Sequence, residues 1–140
     1  MAIADLTNGK VQFGRNLDTL VIVDNFQSKR GGVTLDVTGF SKPYIRGGHV
    51  VIKETSTGDL KPMPLNSGGT AYDTLLPVGH TYYGHVVNSV LTSKPFVGIT
   101  RRGAVNHKVV DASIGYYDMA TILADLKTNL TLIDYLADNE

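Results

Sequence analysis

YYGHVVNSVLTSKPFVGITRRGAVN, residues 82–106, is dense in β-branched and aromatic residues and is cut by turn chemistry, with no helix signal. Tyr82 to Val90 reads as a strand and Thr92-Ser93-Lys94-Pro95 as a turn. Phe96 to Thr100 then resumes the strand, until Arg101-Arg102-Gly103 reads as a second turn into Ala104-Val105-Asn106. The segment carries no reactive constellation, so its chemistry is that of a surface for docking.

Upstream, β signals continue. Leu20-Val21-Ile22-Val23 is a short apolar run, most simply a strand buried on both faces, although periodicity also admits a helical turn. Lys29-Arg30-Gly31-Gly32 breaks the chain. Val33, Leu35 and Val37 alternate with Thr34, Asp36 and Thr38, which predicts a half-buried strand ended by Gly39. His49 to Lys53 reads as a strand, and Ser56-Thr57-Gly58-Asp59 folds Val50–Glu54 back on Leu60–Met63. Pro62 and Pro64 confine the returning segment to a sheet edge. Asn66-Ser67-Gly68-Gly69 is a loop tip. Ala2 to Arg15 shows little periodicity, with Asn8-Gly9 as its clear turn, and reads as an arm.

Downstream, Asp118 is an N-cap for a helix ending near Asn129. Met119, Ile122, Leu123, Leu126 and Leu130 form its apolar stripe, and Asp125, Lys127 and Thr128 its polar side. Leu130 to Leu136 reads either as more helix or as a returning strand, and Asp138-Asn139-Glu140 as a frayed end. The expected fold is mainly β, a small barrel or sandwich-like domain with one C-terminal amphipathic α-helix. The division is one domain over 1–140, with 1–41 as an arm or oligomerisation segment and 47–140 as β core plus helix.

Composition narrows the function. Thirteen basic and thirteen acidic side chains in 140 residues give a formal charge of zero, so no basic field attracts phosphates and nucleic acid is not expected as a partner. Zero cysteines exclude disulfides, thiolate metal ligands and a cysteine nucleophile. No basic leader followed by an apolar run opens the chain, and no apolar stretch approaches the ~18 residues needed to cross a bilayer; neither export nor membrane insertion is expected.

Catalytic, metal and cofactor residues are expected to be none. His49, His80, His85 and His107 have no ligand spacing. Ser67, Ser89, Ser93 and Ser113 lack a nucleophile elbow. Gly31-Gly32, Gly47-Gly48 and Gly68-Gly69 open no helix and read as turns. The carboxylates of Asp18 and Asp24, or Asp134 and Asp138, read as solvated. His85 is expected to share a strand face with Tyr83 in a stacked surface patch. The doublets Tyr82-Tyr83 and Tyr116-Tyr117 each read as one core and one interface tyrosine. Of Arg101 and Arg102, adjacent on a strand, at most one faces a given partner. Tyr82, Tyr83, Arg101 and Arg102 are therefore the candidate interface. An alternative carbohydrate-binding β module would use Tyr82, Tyr83, His85 and Asn88, although the chain has no tryptophan.

Over residues 47–140 the order of pieces resembles the tailed-bacteriophage head decoration or auxiliary capsid family, head-fibre-like proteins included. The motifs are GGHVVI, TGDLKPMP, the segment 82–106 and DMATILADLKTNLTLIDYL. The resemblance implies a virion structural protein, without enzymatic activity, on the capsid exterior after assembly in the host cytoplasm. It also implies a homotrimer that contacts the major capsid protein and head-fibre proteins. The basic turn at Arg101-Arg102 would then either meet an acidic capsid patch or serve solubility alone.

Overall fold

The computed structural model describes residues 17–29, 31–108, 110 and 112–137. The helical turn α1 (Asp18–Val21) leads into β1 (Ile22–Ser28), followed by the short β2 (Val33–Thr34) and β3 (Tyr44–Ile45). A hairpin of β4 (Val50–Glu54) and β5 (Leu60–Pro62) comes next, then β6 (His80–Val86), β7 (Val90–Leu91), β8 (Phe96–Val97) and β9 (Ile99–Asn106). Two 3-10 turns, Ala112–Ile114 and Ala120–Ile122, precede α2 (Leu123–Asn129) and β10 (Ile133–Leu136). The expected Asn8-Gly9 turn, the arm over Ala2 to Arg15 and the end at Asp138-Asn139-Glu140 lie outside the described residues. Of the described residues in 17–41, β1 pairs with β9 in the main sheet and β2 pairs with β8 in a separate two-stranded one.

The main sheet has the order β1-β9-β6-β4-β5. One edge of β9 takes β1; the other takes β6 at Ile99 and Thr100 and a parallel β10 from Gly103 to Asn106. The strands at the two ends, β1 and β5, do not meet, so the sheet is open and the expected barrel is not formed. Layering is sandwich-like and the content mainly β, 39% strand against 13% helix.

Val50, Val51 and Ile52 show why the sheet is buried on both sides. Successive side chains of a strand point to opposite faces, and all three are 1% exposed or less. Val50 and Ile52 join Tyr82 and Val105 under α1, Tyr72, Tyr116, Tyr117 and the C-terminal residues Met119, Ile122, Leu126 and Leu130. Val51 joins Leu60, Val86 and Ile99 under Leu35, Ile45 and Val97. At roughly 1.5–3 kcal/mol per buried large aliphatic side chain, these two layers supply the main force for folding. The β4–β5 hairpin and the edge position of the proline-bearing β5 match expectation.

Several segments differ from their sequence reading. Leu20-Val21-Ile22-Val23 is split: Leu20 and Val21 close α1, while Ile22 and Val23 begin β1, a strand exposed along most of its length instead of buried on both faces. The alternating 33–38 stretch pairs only at Val33 and Thr34. Beyond them Asp36 Oδ1 accepts from the N–H and hydroxyl of Thr38, at 3.1 and 2.7 Å, and this side-chain turn replaces the ladder. Arg101-Arg102-Gly103 is strand interior, not a turn. Gly103 stands there because a Cβ would overlap the Asp24 carbonyl of β1, so the glycine marks close backbone approach.

The Tyr82–Val90 strand stops at Val86, since the chain bends to bring Ser89 to Asp18. Asp18 is buried, contrary to its solvated reading. Gly48, at φ +90°, turns the chain beneath α1, where a Cβ would overlap Val21 Cγ1. Asp118 Oδ1 accepts the Ala120 N–H at 2.8 Å and opens the helical segment, whose first turn is 3-10. The helix ends at Asn129 as expected, and the open choice over 130–136 resolves as strand β10.

Candidate interaction surface

The ladders slip at four places, and each slip displays a side chain. Val51 pairs with Gly84 and Ile52 with Tyr82, which leaves Tyr83 as the extra residue of a bulge in β6. Between β1 and β9 the partners are Ile22 with Val105, Asp24 with Ala104, Asn25 with Gly103, Gln27 with Arg102 and Ser28 with Thr100. Val23 and Phe26 are therefore extra in β1, and Arg101 is extra in β9. A bulge residue is left out of the ladder and its side chain is re-aimed. Here Val23 is 43% exposed and Phe26 71% exposed, and Arg101 is exposed as well.

Tyr83 is half-buried because its ring leans on the layer around Val86 and Ile99. The guanidinium carbon of Arg101 lies 3.9 Å from the centre of that ring, a cation–π contact that holds both side chains in place. With Gln27, Ser28, Lys29 and Leu132 they line a shallow groove of about 580 Å³. Leu132 is 62% exposed, so the groove joins two cationic side chains to apolar and aromatic surface.

Of the four candidate residues, this arrangement brings together Tyr83 and Arg101. Arg102 is exposed on the same strand but is not part of the groove lining. Tyr82 is 7% exposed and belongs to the core, so it is removed from the interface. Tyr116 and Tyr117 are both buried, where one of the two was expected at a surface. Sequence reasoning missed Phe26, Lys29 and Leu132. The polar residues Asp24, Asn25, Gln27 and Ser28 around Phe26 were the available signal that β1 is not a core strand.

The bulge also corrects the histidine reading. Because Tyr83 is an extra residue, His85 is shifted onto the face of Val50, its ladder partner, and is fully buried. Gly48 O can only accept, so His85 Nδ1–H donates to it at 3.0 Å. Nε2 then accepts from the Tyr135 hydroxyl at 2.7 Å. His49 Nε2–H donates to Met63 O at 3.0 Å, with its ring edge-on to Phe40 and Tyr72. Burial pushes both imidazoles down to about 4. The proposed saccharide set of Tyr82, Tyr83, His85 and Asn88 is likewise not assembled, since two of its members are core. Among the described residues no three His, Asp or Glu side chains gather in a metal-binding group, and no helix is long and apolar enough to cross a membrane.

Comparison with protein-family models, with curated proteins and with solved structures finds no match.

Proposed function

We propose that this protein is a bacteriophage virion component that decorates or staples the outer capsid surface, or anchors a head fibre, through the Tyr83–Arg101 groove. The observation that carries the reading is that bulges in three strands place Val23, Phe26, Tyr83 and Arg101 outward. Bulges blunt an edge against continuous strand addition. Pro62 does the same for β5 at the other end of the sheet. Contact therefore runs through side chains, with the major capsid protein and with further copies of the chain in a homotrimer. Tyr83 and Arg101 suit that task, because a side chain already held in place loses little entropy on docking. Arg101 and Lys29 fit an acidic capsid patch, and Leu132 supplies apolar area.

The test reconstitutes purified protein on capsids that lack it and counts occupancy by gel densitometry. Specific, saturable occupancy that falls with Tyr83→Ala supports the reading. Failure to bind such capsids at any salt concentration overturns it.

A further inference from the structure

Beside the edge strand β5, the turn over 37–40, the β4–β5 hairpin and the loop at Pro64–Asn66 line a cleft of about 300 Å³. It shares no lining residue with the Tyr83–Arg101 groove. Its lining is mixed, with Phe40, Pro64 and Leu65 set beside polar and charged side chains. Its polar groups are held by their neighbours. Thr38 fixes Asp36 through Oδ1, and neither of these hydrogen bonds uses Oδ2. On the opposite side, Asn66 Oδ1 accepts the Thr70 N–H at 3.0 Å. Lys61 Nζ donates to Glu54 Oε1 at 2.7 Å and lies 3.4 Å from His80 Nε2. His80 Nδ1–H donates to Val78 O.

The charge of the lining selects the ligand. Asp36 and Lys61 both face the cleft, so an anion meets the carboxylate and a cation meets the ammonium. A neutral molecule rich in hydroxyls satisfies both, because hydroxyls donate to Asp36 and accept from Lys61 and the Asn66 amide. Phe40, Pro64 and Leu65 call for a ligand with an apolar face as well, and the volume sits at the small end of ligand-binding pockets. We infer that this cleft binds a short neutral saccharide, with Asp36, Lys61 and Asn66 holding its hydroxyls and Phe40 its apolar face. The inference is independent of the capsid reading, since either site can be removed without touching the other.

The experiment titrates the full-length, isotope-labelled protein with methyl β-glucoside, methyl β-galactoside and N-acetylglucosamine, and with sodium gluconate as the charged, open-chain counterpart. Amide shifts are followed by NMR. Saturable shifts confined to Thr38, Gly39, Lys61, Leu65 and Asn66 are expected with at least one neutral sugar at millimolar dissociation constant, and weaker shifts with gluconate. Asp36→Asn and Phe40→Leu should each weaken binding about tenfold or more, with melting temperature checking that each variant folds. Three results overturn the inference: no saturable shifts with any neutral sugar, shifts centred outside the cleft, or gluconate binding as tightly as the sugars. If a variant fails to fold, the wild-type shift map decides.

Discussion

The Tyr116 hydroxyl donates a 2.7 Å hydrogen bond to Asp18 Oδ1 across 98 positions of sequence. The same carboxylate accepts from the Gly47 N–H at 3.1 Å, the Ser89 hydroxyl at 2.8 Å and, through Oδ2, the Ser89 N–H at 2.8 Å. Tyr116 in turn accepts the Leu17 N–H at 2.9 Å. Asp18 thus ties α1 to the turn before β4, to the bend after β6 and to the segment before α2. Asp18→Ala strands several buried donors at once, each costing about 1–3 kcal/mol. The expected loss is on the order of 3 kcal/mol or more by denaturant unfolding, with Tyr116→Phe costing about 1–2 kcal/mol. A loss below that of Tyr116→Phe would remove Asp18 from the centre of the network.

Tyr82 and Tyr83 are neighbours with opposite roles. The Tyr82 hydroxyl is buried with no hydrogen-bond partner among the described residues, so Tyr82→Phe removes an unsatisfied group and should leave the melting temperature unchanged or raise it. Tyr82→Ala should cost about 3–5 kcal/mol of stability instead. For Tyr83→Ala the expected loss is in capsid occupancy, about 1–3 kcal/mol, with a small change in melting temperature. Arg101→Ala should chiefly flatten the salt dependence of docking.

Acid should destabilise the fold through His49 and His85. Both hold folded-state values of about 4, against an ordinary 6.5, because burial disfavours the imidazolium. The unfolded chain therefore binds more protons between these values, and stability falls as pH drops through 6.5 toward 4. With two such groups the slope approaches about 2.7 kcal/mol per pH unit within that window. Urea midpoints at a series of pH values measure it. His85→Gln should reduce the slope between pH 7 and 5, above the carboxylate range; an unchanged slope would mean that His85 takes up a proton in place.

The C-terminal stripe is not uniform. Leu126 is fully buried and Leu123 only half-buried. Leu126→Ala should therefore cost about 2–5 kcal/mol and Leu123→Ala clearly less. Lys127→Ala, at an exposed position, should stay within about 0.5 kcal/mol. Thermal melts of the three variants test the order, and equal losses for the two leucines would place the buried face wrongly.

Local chemistry in the sequence was enough for the mainly β character, the β4–β5 hairpin with its proline-bearing edge and the Asp118–Asn129 helical segment. Each depends on neighbours in the chain: turn residues at 56–59, prolines that cannot donate, and apolar residues spaced three and four apart. Arg101 and Tyr83 were legible as surface candidates for the same reason, as residue types suited to contact. The rest depends on partners far away in sequence. A single extra residue at Tyr83 reverses the face of His85, and only the register against β4 shows where that residue falls. Gly103 looks like a turn until β1 lies against it. Asp18 looks solvated until Gly47, Ser89 and Tyr116 converge on it. Strand register and buried polar pairing are set by long-range contacts, which no window of sequence contains, so only the tertiary structure decided which of these residues became core and which became surface.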